Sequence, residues 1–161
     1  MNGKGRQNKG KNWERRCAKA LSDWSGIEFR RTKGSGADKD AYTLAHELGD
    51  IRPKDPLHFE QFPLLVECKA VGKFPFHQIL LGQCKVLDSW IGQVFGDRKI
   101  LQEKAGLKKD CIVIFKANNV PAMVVINIPV LSNCIYRGWR VLALDTLLST
   151  FSLKDLCNYK K

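Results

Sequence analysis

Acidic side chains are in short supply in this chain: 16 Asp and Glu stand against 27 Lys and Arg, for a formal net charge of +11. That imbalance argues against a basic partner and favours a polyanion, nucleic acid ahead of an anionic membrane. Long apolar runs are missing too. No stretch approaches the roughly 20 residues of a membrane-spanning helix, and the opening MNGKGRQNKGKNW has basic residues with no apolar core behind them, unlike a secretory leader. The expectation is a protein of the cytosol with no membrane partner. Histidines are few, at 46, 58 and 77, and lack zinc-like spacing. Cysteines stand at 17, 68, 84, 111, 134 and 157, yet no Cys-x-x-Cys pair occurs. Without a leader, and in a chain that is neither short nor loop-rich, reduced thiols are expected, Cys68 and Cys111 acting as small hydrophobes in strand-like runs.

What is present suits one folded unit. A chain of 161 residues with 44% hydrophobic content can bury a sizeable core. Residues 1–11 lack apolar periodicity and read as a flexible basic arm; residues 12–161 read as a single domain. A helix is expected from an Asn12 N-cap to about Trp24, with Trp13, Cys17, Ala20, Leu21 and Trp24 on one stripe and Gly26 as its stop. A strand over 27–32 and a loop over 33–37 follow, then one or two helical turns within 41–48. Gly49-Asp50-Ile51 reads as a strand edge, 52–62 as an irregular connection and 62–69 (FPLLVECK) as a buried strand. A helix is expected over 76–95, continuing to Ala105 and stopped by Gly106. The β-branched runs 111–116 and 122–128 read as a hairpin turning at Asn118-Asn119, before a strand near 139–144 and short closing helices. The order predicts an α/β domain: a mixed central sheet flanked by helices.

Two acids and a lysine stand out against that frame. Side chains alternate on a strand, so Glu67 and Lys69 share a face while Cys68 points to the other. An acid and a base ending an otherwise apolar strand are costly to place there without a use. Paired with Asp50 on the neighbouring strand edge, Glu67 could hold a hard divalent cation, which needs few carboxylate oxygens and keeps several waters. The Cys68 carbonyl can also reach such an ion. Lys69 could position or help deprotonate water, or stabilise a charged transition state. On spacing alone, an ordinary edge ion pair explains Glu67 and Lys69 equally well.

These residues resemble the PD-(D/E)xK nuclease superfamily, and within it the archaeal-type Holliday junction resolvases and their phage relatives. Lys9-Gly10 followed by Glu14-Arg15-Arg16 looks like that family's opening acidic helix. Phe29-Arg30-Arg31 leading into Gly34-Ser35-Gly36 looks like its first strand and glycine-serine loop. Gly49-Asp50-Ile51 and Val66-Glu67-Cys68-Lys69 then follow in the family order, with Gly49 in place of the usual proline. The resemblance implies a restriction-endonuclease-like core and metal ligation by Asp50, Glu67, the Cys68 carbonyl and Glu14. It implies Lys69 as catalytic lysine, Ser35 at the scissile phosphate, and Mg²⁺ as cofactor, with Mn²⁺ as a substitute. For Glu14 a solvated helix-face charge remains open, and for Ser35 a linker residue. The long segment between Asp50 and Glu67 leaves Asp38, Asp40 and Asp55 as alternative ligands. A glutamine on the helix after the triplet is a further candidate; Gln83 is one, although a solvent-facing role explains it better. Trp13, Trp24 and Trp90 lie on apolar stripes, which favours core packing over base stacking.

Lys9, Lys11, Arg15, Arg16, Arg30, Arg31 and Lys33 are the expected DNA-binding residues, forming one phosphate-tracking surface if the first helix and the glycine loop flank the site. The leading expectation is a Mg²⁺-dependent endonuclease that resolves four-way or other branched DNA by paired nicks as a homodimer, acting in the host cytosol if phage-encoded. Two other readings remain: a nuclease of the same fold cutting duplex, flap or single-stranded DNA, and a non-catalytic basic nucleic-acid-binding protein.

Overall fold

The run Leu64–Ala70 is apolar on both faces up to Glu67, as a strand covered by helices on each side must be. It is the third strand of the sheet in a computed structural model of the chain, whose described residues are 3–32, 47–132 and 134–158. Among them are seven strands: β1 (Phe29–Arg31), β2 (Ile51–Pro53), β3 (Leu64–Ala70), β4 (Asp110–Lys116), β5 (Met123–Ile126), β6 (Cys134–Tyr136) and β7 (Trp139–Ala143). They form one mixed sheet in the order β1-β2-β3-β4-β5-β7-β6, with β3 and β4 parallel and every other neighbouring pair antiparallel. The helices are α1 (Gly3–Ser25), α2 (Pro56–Gln61), α3 (Phe76–Leu80), α4 (Lys85–Ala105), α5 (Leu144–Thr150) and α6 (Leu153–Asn158). This is the expected α/β architecture.

The strand alternation divides the core in two. Leu64, Val66 and Cys68 of β3 join Trp13, Cys17, Ala18 and Leu21 of α1, together with Leu144, Leu147 and Leu156 of α5 and α6. Leu65 of β3 joins Leu87, Trp90, Val94 and Leu101 of α4, with Phe59 of α2 and Ile79 of α3. The parallel pairing of β3 and β4 requires a crossover, and α4 supplies it on the second face. Trp13 and Trp90 are buried and Trp24 donates its ring N–H to the Phe151 carbonyl at 2.7 Å, as expected; Trp139 is buried too. All six cysteines are unpaired as disulfides.

Three boundaries differ from the sequence reading. The first helix begins at Gly3, not Asn12, so it includes most of the segment expected to be an arm. Asn12 is not a cap; its side chain accepts a bond from Arg15 Nη1 at 2.9 Å. The expected helix over 76–95 breaks, because Gly82 adopts φ +68° between α3 and α4. The connection over 52–62 is more ordered than expected: Asp55 caps α2, accepting from the N–H groups of Leu57 and His58 at 2.8 and 3.2 Å, with Pro56 at the first helical position. The hairpin at Asn118-Asn119 is present, Asn119 taking φ 58°. A second hairpin, β6 to β7, turns at Arg137 and Gly138, both at positive φ.

Candidate active site

Asp50 and Glu67 meet where β2 leaves β3. Val66 O accepts from Asp50 N at 2.9 Å, and one residue pair further along, Cys68 N donates to Asp50 Oδ2 at 2.8 Å. The two carboxylates lie close enough for the charge of Asp50 to act on Glu67. A strand residue directs its N–H and C=O to the same side. The Cys68 carbonyl therefore faces the Asp50 edge, as its N–H does, while its thiol packs on the α1 face beside Cys17.

Glu67 is only 1% exposed. Its Oε1 accepts from Lys69 Nζ at 2.5 Å and from Gln93 Nε2 at 2.6 Å, and Lys69 Nζ also reaches Gln93 Oε1 at 2.9 Å. Gln93 lies on α4, so Glu67 and Lys69 do share the α4 face of β3. Burial, then the neighbouring Asp50 charge, push the Glu67 carboxyl up to about 7, against the pull of Lys69. Burial raises Asp50 as well, opposed by the Cys68 N–H and Lys69.

These shifts carry a stability consequence. In the unfolded chain Glu67 ionises near 4.5, whereas the folded chain holds its proton to about 7. The folded state binds more protons in that window, so metal-free stability falls as pH rises from about 4.5 to about 7, by on the order of 3 kcal/mol. Urea midpoints in EDTA at pH 5 and pH 8 will show the fall, and Glu67→Gln will flatten it.

Gly49 explains why this turn needs no proline. It takes φ +75°, and a Cβ there would lie 2.8 Å from Val66 O and 3.1 Å from Leu65 Cδ1. The glycine lets the backbone carrying Asp50 press against β3. Gly49→Ala will cost about 1–3 kcal/mol in urea unfolding, since both the conformation and the contact become unfavourable.

The remaining expected residues distribute unevenly. Glu14 of α1 acts on Asp50 electrostatically, and its Oε2 accepts from Arg31 Nε at 2.5 Å. Glu47 Oε1 accepts from Arg30 Nη2 at 3.1 Å and from Arg52 Nη2 at 2.6 Å. Arg30 and Arg31 are thus tied by ion pairs beside the site. Lys9, Arg16 and Trp13, with Asn118 and Lys116 from the β4 end, line a recess of about 500 Å³ bordered by Ala70, the residue after Lys69. Lys9 Nζ bonds Asn118 Oδ1 at 2.7 Å, and Arg16 stacks 5.8 Å from the Trp13 ring centre. Lys11 and Arg15 are exposed on α1. Asp55 is engaged as the α2 cap, away from Glu67 in its bonding. Lys33, Ser35, Asp38 and Asp40, with residues 41–46 of the helical turns expected within 41–48, lie outside the described residues.

Gln83 stands in the loop before α4, and the glutamine that reaches Glu67 is Gln93. Asp97, one turn beyond Gln93, lies within electrostatic reach of Lys69 and Glu67. Sequence reading missed both; their i, i+4 spacing beside the buried Trp90 and Val94 was the available signal.

The donor set fits a divalent cation: two carboxylates side by side, both raised, whose repulsion a cation would relieve. Among the described residues no group of three or more His, Cys, Asp and Glu stands at metal-binding spacing, so waters and carbonyls would fill the other positions. No helix among them is long and apolar enough to cross a membrane.

A model of the family described as "phage putative PDDEXK endonuclease" matches residues 5–158. No curated protein and no solved structure matches the chain. The match covers nearly every element described above, from α1 through α6. The chain belongs to the phage PDDEXK endonuclease family, with an α/β core of the restriction-endonuclease type.

Proposed function

We propose that this endonuclease is metal-dependent and cuts branched DNA, four-way junctions foremost, with Asp50, Glu67 and Lys69 as its working residues. The observation that carries the chemistry is the paired Asp50 and Glu67 carboxylates, with the Lys69 ammonium 2.5 Å from Glu67 Oε1. Asp50, Glu67 and the Cys68 carbonyl would hold Mg²⁺, or Mn²⁺ in its place, with Glu14 acting from α1. A bound divalent cation supplies charge neutralisation at the phosphate and lowers the pKa of an attacking water. Lys69, aimed by Glu67 and Gln93, presents its charge to the phosphate oxygens as negative charge builds there. Gln93 spans both partners and keeps the lysine from swinging to solvent. Water attacks phosphorus, the bond to the leaving sugar oxygen breaks, and that oxygen takes up a proton.

Support for the substrate comes from charge. The net +11, the exposed Lys11 and Arg15, and the recess holding Lys9, Arg16 and Lys116 line the approach along α1 to the β3 end. Arg31 meets Glu14 of α1, and Arg30, Lys33 and Ser35 complete the proposed DNA-contacting set. Paired nicks call for two sites, which a symmetric dimer provides. Two copies at +11 each repel where their basic surfaces face one another, so an apolar face suits the contact. The apolar recess between α3, β7 and α5, with Leu80 and Leu131 largely exposed, is such a face.

The test is cleavage of labelled four-way junction, flap, duplex and single strand with Mg²⁺ or EDTA. Junction cutting well ahead of duplex, abolished by EDTA, is the expected result. Equal cutting of duplex would remove the junction assignment and favour the general nuclease reading. Metal-independent cleavage would remove the mechanism.

A further inference from the structure

The parallel strands β3 and β4 carry a basic recess at each end. They pair in register from Leu64 with Asp110 to Ala70 with Lys116. At about 3.3 Å of rise per residue, the two ends stand about 20 Å apart. The recess of Lys9, Arg16 and Lys116 lies at the Ala70 end. At the other end a recess of about 520 Å³ is lined by Arg98 of α4, Lys108 and Lys109, Asp110 at the start of β4, and Asn127 after β5. Three bases face one acid there, and the cleavage chemistry uses none of them.

These charges are held in different ways. Lys109 is 2% exposed, and the main-chain carbonyls of Phe59, Glu60 and Phe62 accept from its Nζ. It adds positive potential to the recess from a fixed place. Asp110 Oδ1 accepts from Asn127 Nδ2 at 3.3 Å, and Asn127 Oδ1 accepts from Cys111 N at 2.7 Å, so the acid is tied into the strand end. Arg98 differs. Its guanidinium lies 5.6 Å from the Phe95 ring centre and forms no hydrogen bond or ion pair among the described residues. Lys108 is exposed and likewise has no such partner among them. A ring beside a guanidinium restrains its plane and leaves the N–H fork open, which suits a pair of phosphate oxygens.

We propose that this recess is a second phosphate-binding site for the DNA backbone, with Arg98 and Lys108 as its contacting residues. The site deepens the nuclease reading and rests on it for the ligand, DNA. A strand carries one phosphate per about 3.4 Å, so the two recesses are spaced by about six phosphates. Glu67 lies on β3 between the two ends. DNA engaged at both is held on either side of the cleavage residues, through contacts that read no sequence.

The test is binding of a labelled four-way junction to the full-length protein in EDTA, across a range of salt concentrations. Each lost phosphate contact makes the plot of log Kd against log salt shallower by about one unit. Lys108→Ala will therefore lose about one unit of slope, and Lys108→Ala with Arg98→Gln about two, with affinity at low salt weakened about tenfold or more. Lys154→Ala removes a charge from an exposed position on α6 and will change the slope by less than about half a unit. Because the Lys108 side chain is exposed, the single variant decides the matter even if the double variant folds poorly. Parental slope in Lys108→Ala overturns the site. So does an equal loss in Lys154→Ala, since net charge alone would then account for it. Inorganic phosphate is the second probe, followed by NMR at the Arg98 Nε–H. Phosphate that shifts this signal while the junction slope stays parental in the variants assigns the recess to a free ion and overturns the DNA site. A parent that binds no junction overturns it as well, whereas one that binds but never cuts removes only the nuclease reading.

Discussion

Glu67→Gln protein will fold and will cleave DNA about 10³-fold more slowly or worse, a loss of about 4 kcal/mol in transition-state stabilisation. The glutamine matches the carboxylate in volume, so the pocket under α4 stays filled. The substitution also ends the repulsion between two neighbouring carboxylates, so the metal-free variant should be at least as stable as the parent above pH 7. Loss of activity together with retained or increased stability is the signature of a residue kept for chemistry. A structural ion pair predicts the reverse: removing the acid would leave the Lys69 ammonium without its partner and weaken the fold. Single-turnover cleavage rates and urea unfolding of the same preparation separate the two cases.

Lys69→Met will lose about 10²- to 10³-fold in cleavage rate while keeping its Mg²⁺ binding. The lysine is the cation of a three-membered bonding set with Glu67 and Gln93, and it is only partly exposed. Methionine preserves much of the stem and removes the charge. Because Lys69 opposes the upward shift of both carboxylates, its loss will raise them further and move cleavage to higher pH. Calorimetric Mg²⁺ titrations at pH 8 and cleavage rates from pH 6 to 9 would show this split. Equal loss of metal binding and rate would instead make Lys69 a support for the ligands.

The chemistry-bearing half of the site was readable because it obeys a local rule. Period-two alternation in β3 places Glu67 and Lys69 on one face and Cys68 on the other, and Gly49 flags the close approach before Asp50. The α4 contribution was not readable in the same way. Treating 76–95 as one helix ignored the break at Gly82, and with it the fresh helical phase that brings Gln93 and Asp97 over β3. Gln83, nearer to the triplet in sequence, falls in the connecting loop. Ion pairing was equally hidden. Arg30 and Arg31 look like free phosphate contacts until Glu47 and Glu14, each separated from its arginine by 17 positions, close on them. Asp55 looked like an available ligand until Pro56 and the following amides made it a helix cap. The first helix was underestimated because a start with several Gly and Asn residues has low intrinsic propensity. Its last turns are anchored by packing on the sheet, and Lys9 bonds Asn118 across the gap.

The most direct test of the account is single-turnover cleavage of a labelled four-way junction at saturating Mg²⁺ by the parent and by Asp50→Ala, with Asp55→Ala as control. The account predicts cleavage by the parent and by Asp55→Ala at rates within about threefold, and a drop of about 10³-fold for Asp50→Ala. Full activity in Asp50→Ala would contradict it.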